Sequence, residues 1–151
     1  MSRAPLPKIG RTPLIALVEK AARALQRDMV RRANQGGYPE VKQAHNAVFA
    51  TLPESGARAT DMAERAGITR QSMGEIIRDM ADLGIVEMSP DPDDRRAKLV
   101  TFTSYGRGMA RQGYGRILEL EQRFAEEFGE KEYEIVRDFL ERLPAMLGDE
   151  A

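Results

Sequence analysis

The sequence contains no cysteine and a single histidine, His45. The first absence excludes disulfides, thiolate metal sites and thiol redox sensing, and the second leaves little for zinc binding or general-base chemistry. No nucleophile, base and orienting group stand out as a set, so no catalytic residue, metal or cofactor is expected. Long apolar runs are lacking too: the longest, Leu14 to Val18, has five residues, against the roughly 20 that a membrane helix needs. The Pro-containing start lacks the apolar core of a signal peptide. Both features predict a cytoplasmic protein without membrane contact.

What remains is the composition of an ordinary soluble domain, with 151 residues, 42% of them hydrophobic and 31% charged. A net charge of −1 argues by itself against a nucleic-acid partner, because backbone phosphates reward a positive surface. The distribution says more. Residues 1–59 carry +6, residues 60–103 carry −3 and residues 104–151 carry −4, so basic charge is concentrated early and in small clusters. A local anion-binding face on a neutral protein is compatible with that pattern.

Leu14, Val18, Ala21, Ala22, Leu25 and Met29 recur at helical spacing, with Pro13 in the first turn, and the segment stops at Asn34-Gln35-Gly36-Gly37. A second helix is expected from about Glu40 to Leu52, burying Val41, Ala44, Val48 and Leu52 and ending before Pro53. Two shorter helices follow, near Thr60 to Ala66 and Thr69 to Leu83, joined by Gly67 and Ile68, with Thr60 and Thr69 as N-caps. Gly84 ends the pair. The β-branched runs Ile85 to Met88 and Leu99 to Phe102 then bracket a charged tip, Ser89 to Arg96, as a β-hairpin. Thr103 or Ser104 caps a long helix with Met109, Ile117, Leu120, Phe124 and Phe128 on one stripe. Gly106, Gly108, Gly113 and Gly115 weaken its first half and suggest a bent or closely packed start. After Gly129, the stripe Tyr133, Val136, Leu140, Leu143, Leu147 predicts a last helix ending near Gly148.

The two short helices meet the steric needs of a helix-turn-helix. Ala63 allows close approach, Gly67 suits a turn of positive φ, and Met73 and Ile76 supply apolar contacts. An ordinary packed helical hairpin would use some of the same residues. With these features in place, the sequence resembles the MarR family of bacterial transcriptional regulators. The resemblance lies in Met62-Ala63-Glu64-Arg65-Ala66-Gly67-Ile68-Thr69-Arg70-Gln71-Ser72 and Pro90-Asp91-Pro92-Asp93-Asp94-Arg95-Arg96, and extends to Leu99-Val100 and Thr103-Ser104-Tyr105-Gly106. It implies a mainly α fold with a small β-hairpin wing, a winged helix-turn-helix with long terminal dimerisation helices. Residues 1–151 would form one domain, with a DNA-binding part at 40–103 and dimerisation helices at 12–34 and 104–148. It further implies a homodimer that sets a recognition helix in the major groove of double-stranded DNA and the wing in the adjacent minor groove. Such a protein would be a ligand-responsive repressor on a pseudo-palindromic operator.

The residues expected at DNA are Thr69, Arg70, Gln71, Ser72 and Arg78 from the recognition helix and Asp94, Arg95 and Arg96 from the wing. The start of that helix offers free N–H groups and a positive dipole end to phosphate, arginine can read guanine, and glutamine can read adenine. The sequence departs from the family pattern at Gly74, where a hydroxyl residue is frequent, and at Glu75, where a basic one is. Glu75 would either accept from a cytosine amino group or pair with Arg78. In the wing, the resemblance makes Asp94 the residue that orients Arg96, and a narrow A·T-rich minor groove favours an arginine. The three wing aspartates either cap turn N–H groups and hold the arginines or form a solvated hairpin end.

His45 reads as a partly buried polar residue with no assigned chemistry. Tyr38, Phe49, Met109 and Tyr114 read first as core, and second as the lining of a crevice where family members often bind small aromatic acids, which would admit a small-molecule effector. The rival reading is a winged-helix module that binds another protein and no DNA, favoured by Glu75 and the acidic balance.

Overall fold

Pro13, with its fixed φ, opens α1 (Leu14–Gln35) in the computed structural model, which describes residues 10–149. The Pro-containing start and the outer bounds of the expected 1–151 domain lie outside the described residues. α1 ends at Gly36, and the amide nitrogen of Asn34 then donates to the carbonyls of Tyr38 (2.9 Å) and Val41 (3.1 Å), which holds the following loop against the helix end.

That loop shortens the expected second helix. Lys42 is extended, a 3-10 turn covers Gln43–His45, and α2 proper spans only Asn46–Phe49, although i→i−4 bonding persists to Leu52 N–H. The apolar spacing from Val41 is therefore only partly helical. Val41, Val48 and Leu52 are buried as expected, whereas Ala44 is exposed and His45 takes the interior position, wholly rather than partly buried.

α3 (Ala59–Ala66) starts ahead of Thr60, with Arg58 as its cap residue. The cause is a backbone pairing of Ala57 with Val100 (N···O 3.0 and 2.8 Å), which fixes the chain as extended immediately before the helix. Gly67 closes α3 at φ 64°, in the left-handed region that glycine enters without strain. Two residues later Thr69 caps α4 (Arg70–Asp82), accepting from Ser72 N–H at 3.0 Å. β1 (Val86–Pro90) and β2 (Lys98–Phe102) pair antiparallel from Val86↔Phe102 to Pro90↔Lys98. Val86, Val100 and Phe102 face inward.

Thr103 ties the wing to α5 (Ser104–Phe128). Its hydroxyl accepts from Gly106 N–H (3.0 Å) and donates to Gly84 O (2.6 Å). A Cβ on Gly106 would overlap the Ile85 carbonyl oxygen, so the expected close packing at the start of this helix is real, and α5 runs unbroken through its glycines. α6 (Glu130–Met146) folds back on α5 and carries Pro144 near its end.

The core gathers Val48, Leu52, Met62, Met73, Ile77, Met80, Ile85, Val86, Val100, Phe102 and Met109 between α2, α3, α4, the hairpin and the first turns of α5. α1 and α6 contribute no fully buried residue. Among the described residues no helix is long and apolar enough to cross a membrane. Among the described residues, six α-helices and one hairpin thus form a winged helix flanked by long α1, α5 and α6.

Candidate nucleic-acid interface

The apolar face of α4, Met73, Ile77 and Met80, is fully buried, with Ile76 half-buried beside it. Anchoring that face turns Thr69, Arg70, Gln71, Ser72, Glu75 and Arg78 outward, where all are exposed. Thr69 and Ser72 spend their hydroxyls on each other (2.9 Å) and on the cap. Gln71 donates to Glu75 at 3.3 Å, so within the chain Glu75 is held by its i−4 neighbour and not by Arg78. Arg78 instead reaches back over Gly74, with its guanidinium 3.4 Å from where a Cβ would stand. Neither Arg70 nor Arg78 makes an ion pair among the described residues.

The wing tip is an ordered turn. Asp91 N–H donates to Ala97 O and Ala97 N–H to Asp94 O, both at 2.9 Å. The Asp94 carboxylate accepts from the backbone N–H of Arg96 (3.1 Å). In the single chain Asp94 shapes the turn under Arg96 through the backbone and makes no contact with its guanidinium. The aspartate that does hold an arginine is Asp91, which is buried and accepts from Arg58 Nε (2.7 Å) and Asp93 N–H (2.9 Å). Those two hydrogen bonds, the Asp93 amide first and the Arg58 guanidinium second, keep its carboxyl below the usual carboxylate range. Arg58 immediately precedes α3, so this pair pins the wing to the start of the helix-turn-helix. Arg95 and Arg96 are left exposed without ion pairs among the described residues.

Sequence reasoning gave Asp91 a turn-capping role but missed Arg58 as its partner, because 33 positions separate them and no local spacing relates them. His45 was assigned no chemistry, yet its Nε2 lies 2.7 Å from Asp79 on α4.

A cleft of about 400 Å³ lies between α1 and α5, lined among others by Met29, Arg32, Phe49, Met109 and Tyr114. Tyr38 does not reach it. Its ring packs edge-on against Tyr105, centroids 5.4 Å apart, and the Tyr105 hydroxyl, bonded to the Glu40 carboxylate, is pushed up to about 12 by that hydrogen bond. Arg116, also on the cleft wall, is bound to Asp28 (3.0 and 3.1 Å). Burial opposes ionisation of Asp28, but the Arg116 hydrogen bond and charge, with Arg31 and Arg32 nearby, carry its carboxyl below the usual range. The side-chain nitrogen of Asn46, on the same wall, has no hydrogen-bond partner among the described residues.

Residues 43–97 match the model of the MarR family. Uncharacterized protein Rv2011c of Mycobacterium tuberculosis (strain ATCC 25618 / H37Rv) is 26% identical over 101 residues, covering 67% of this chain and 71% of that protein. The crystal structure of Streptococcus pneumoniae FabT in complex with DNA superposes with a TM-score of 0.74 at 14% identity, over 89% of this chain and 94% of that one. CouR from Rhodococcus jostii RHA1, bound to p-coumaroyl-CoA, does so with 0.66 at 19% identity, over 86% and 91%. At these identities the two superpositions establish a shared fold.

Proposed function

Residues 43–97 match the MarR family model, and from that match and the shared fold we propose that the chain is a MarR-type DNA-binding transcriptional regulator which reads duplex DNA with α4 and the wing. The observation that carries this reading is the contrast between the arginines at the two tips and the acids beside them. Arg70, Arg78, Arg95 and Arg96 are exposed and make no ion pair among the described residues, while Asp91, Asp94 and Glu75 are each engaged within the chain. The negative charge that makes the wing look unfit for DNA is therefore partly taken up by the turn and by Arg58, and the guanidinia remain available for phosphates, base edges or a narrow minor groove.

In this reading Thr69 and Ser72 shape the helix start, Arg70 and Gln71 meet base edges, Arg78 meets the backbone, and Arg95 and Arg96, set by the Asp94 turn, enter the minor groove. Two copies bind a pseudo-palindromic operator and repress. A small amphipathic anion in the α1–α5 cleft, facing Arg32 and the unpartnered Asn46 amide, would change the spacing of the reading heads and release DNA. The protein acts in the cytoplasm and carries out no catalysis. The rival, a protein-binding winged helix, draws on Glu75 and the acidic balance; Glu75 is oriented by Gln71 and keeps its full charge, so the experiment below decides between the two.

The test is a gel shift of genomic fragments with excess competitor DNA, followed by sequencing of the retained fraction. A subset of fragments retained against competitor is expected. Uniform loss of every fragment to competitor would leave the protein-binding reading in its place.

A further inference from the structure

We propose that His45 is a positioning residue for α4, acting through Asp79 to fix the rotation of the recognition helix relative to the segment that follows α1. The inference rests on the DNA-reading function above and adds a residue to it.

His45 is 1% exposed, and an imidazole taken out of water needs a partner for each nitrogen. It has both. Nδ1 lies 3.2 Å from the Lys42 backbone nitrogen, and Nε2 lies 2.7 Å from Asp79 Oδ2. A backbone N–H can only donate, so Nδ1 accepts and the ring proton sits on Nε2, donated to the Asp79 carboxylate. A second ring proton would point at the Lys42 N–H, so the arrangement requires the neutral ring. Lys42 Nζ reaches the same carboxylate at 3.2 and 3.3 Å. The His45 and Lys42 hydrogen bonds, in that order, hold the Asp79 carboxyl below the usual range and keep it a charged acceptor.

The placement gives the cluster its role. Asp79 follows Arg78 directly, on the α4 face between the exposed arginines and the buried Met73, Ile77 and Met80. Those apolar contacts decide which face of α4 turns inward, and a directional hydrogen bond at its flank adds a restraint on the last degrees of rotation that non-directional burial does not supply. Among the described residues, the bonds to Asp79 are the only side-chain hydrogen bonds linking α4 to another element. They come from the connection between α1 and α2, so any displacement of α1 reaches α4 through a directional contact. A buried imidazole is rigid, whereas Lys42 is exposed and long. His45 is accordingly the member that sets the geometry.

The experiment uses the full chain and a pool of 30-base-pair duplexes with randomised centres. Duplexes enriched by the wild type are compared with an unselected random duplex by fluorescence anisotropy. His45→Leu is expected to lose about tenfold on the enriched duplex, the scale of one hydrogen bond to a charged group, and to keep its affinity for the random one. Asp79→Ala, at a half-exposed site that tolerates truncation, should give the same loss if His45→Leu fails to fold. His45→Gln, which retains a donor toward Asp79, should recover most of the ratio. Because His45 is the only histidine, long-range proton–nitrogen spectra of the folded protein report on this ring alone and should show the neutral Nε2–H form. Equal loss on both duplexes, no loss on either, or a ring protonated on Nδ1 would overturn the proposal. Failure of the wild type to enrich any duplex would instead overturn the DNA-reading function, and the ring spectrum would still stand as a separate result.

Discussion

A side chain that reads a base edge must be long, exposed and uncommitted within its own protein, and Arg70 meets all three conditions at the first position of α4. Arg70→Ala should therefore cost about 1–3 kcal/mol on the preferred duplex and relax base choice at one position. Uniform weakening on all sequences would reassign Arg70 to the phosphate backbone. In the wing the aspartates divide by role. Asp91 bonds the Arg58 guanidinium across the fold, whereas Asp94 bonds one turn amide. Both substitutions to alanine remove a negative charge, which electrostatics alone predicts should strengthen DNA binding. Loss of Asp91 removes the side-chain tie between the wing tip and the start of α3 while the Ala57–Val100 pairing remains, so Asp91→Ala should weaken binding roughly three- to tenfold, the cost of ordering one or two side chains that the free protein no longer holds. Asp94→Ala should do less. Anisotropy titrations at several salt concentrations decide the matter, and tighter binding by Asp91→Ala would remove any positioning role from the Arg58 pair. The residues at both tips were legible in the sequence because their chemistry is local. The pair that holds the wing was not, because Arg58 and Asp91 meet only through tertiary structure.

At the scale of elements, periodicity located each α-helix and both strands among the described residues, and it failed where a polar side chain competes with the apolar pattern. Val41, Ala44, Val48 and Leu52 have helical spacing, but Asn34 captures the loop carbonyls and the His45 ring bonds the Lys42 amide, so the chain enters α2 late and with another face inward. Thr60 illustrates the same limit: Ala57, paired with β2, decides where α3 begins. Glycines that look alike in sequence also part company here. Gly74 lies inside α4 with only the flexible Arg78 guanidinium in ordinary contact range, so Gly74→Ala should raise stability by roughly 0.5–1 kcal/mol through reduced backbone entropy of the unfolded chain. Gly106 lies against the Ile85 carbonyl, and Gly106→Ala should lower stability by about 1–3 kcal/mol or more, because backbone must move to admit the methyl group. Urea unfolding of both variants tests the pair. Shifts of the same sign would contradict the packing described for one of them.

Across the whole molecule, apolar surface is distributed unevenly. The winged helix encloses most of its hydrophobic side chains, yet Ile15 (71% exposed) and Leu17 on α1, Leu118 on α5, and Ile135, Val136 and Phe139 on α6 lie open in the single chain. Exposed apolar area on this scale on three long helices is characteristic of an interaction surface, and self-association is the arrangement that covers all three with one partner chemistry. A closed two-fold pair makes the same patch serve both subunits. Light scattering at micromolar concentration should give twice the 16.9 kDa of one chain. Placing a charge in the patch, as Ile135→Glu, should shift the mass toward the monomer without unfolding the reading domain, whose core contains no α6 residue. Such a pair would fix what the protein can recognise. Two α4 helices related by a two-fold axis and entering successive major grooves must lie one duplex turn apart, about 34–36 Å, so footprints should show two protected half-sites at that spacing in inverted orientation. The Ile135→Glu variant should keep contact with a single half-site but lose most of its affinity, since the second site would no longer be held at high effective concentration. A wild-type monomer, or a footprint with one asymmetric half-site, would refute the two-fold arrangement and leave the apolar faces of α1, α5 and α6 for a different partner.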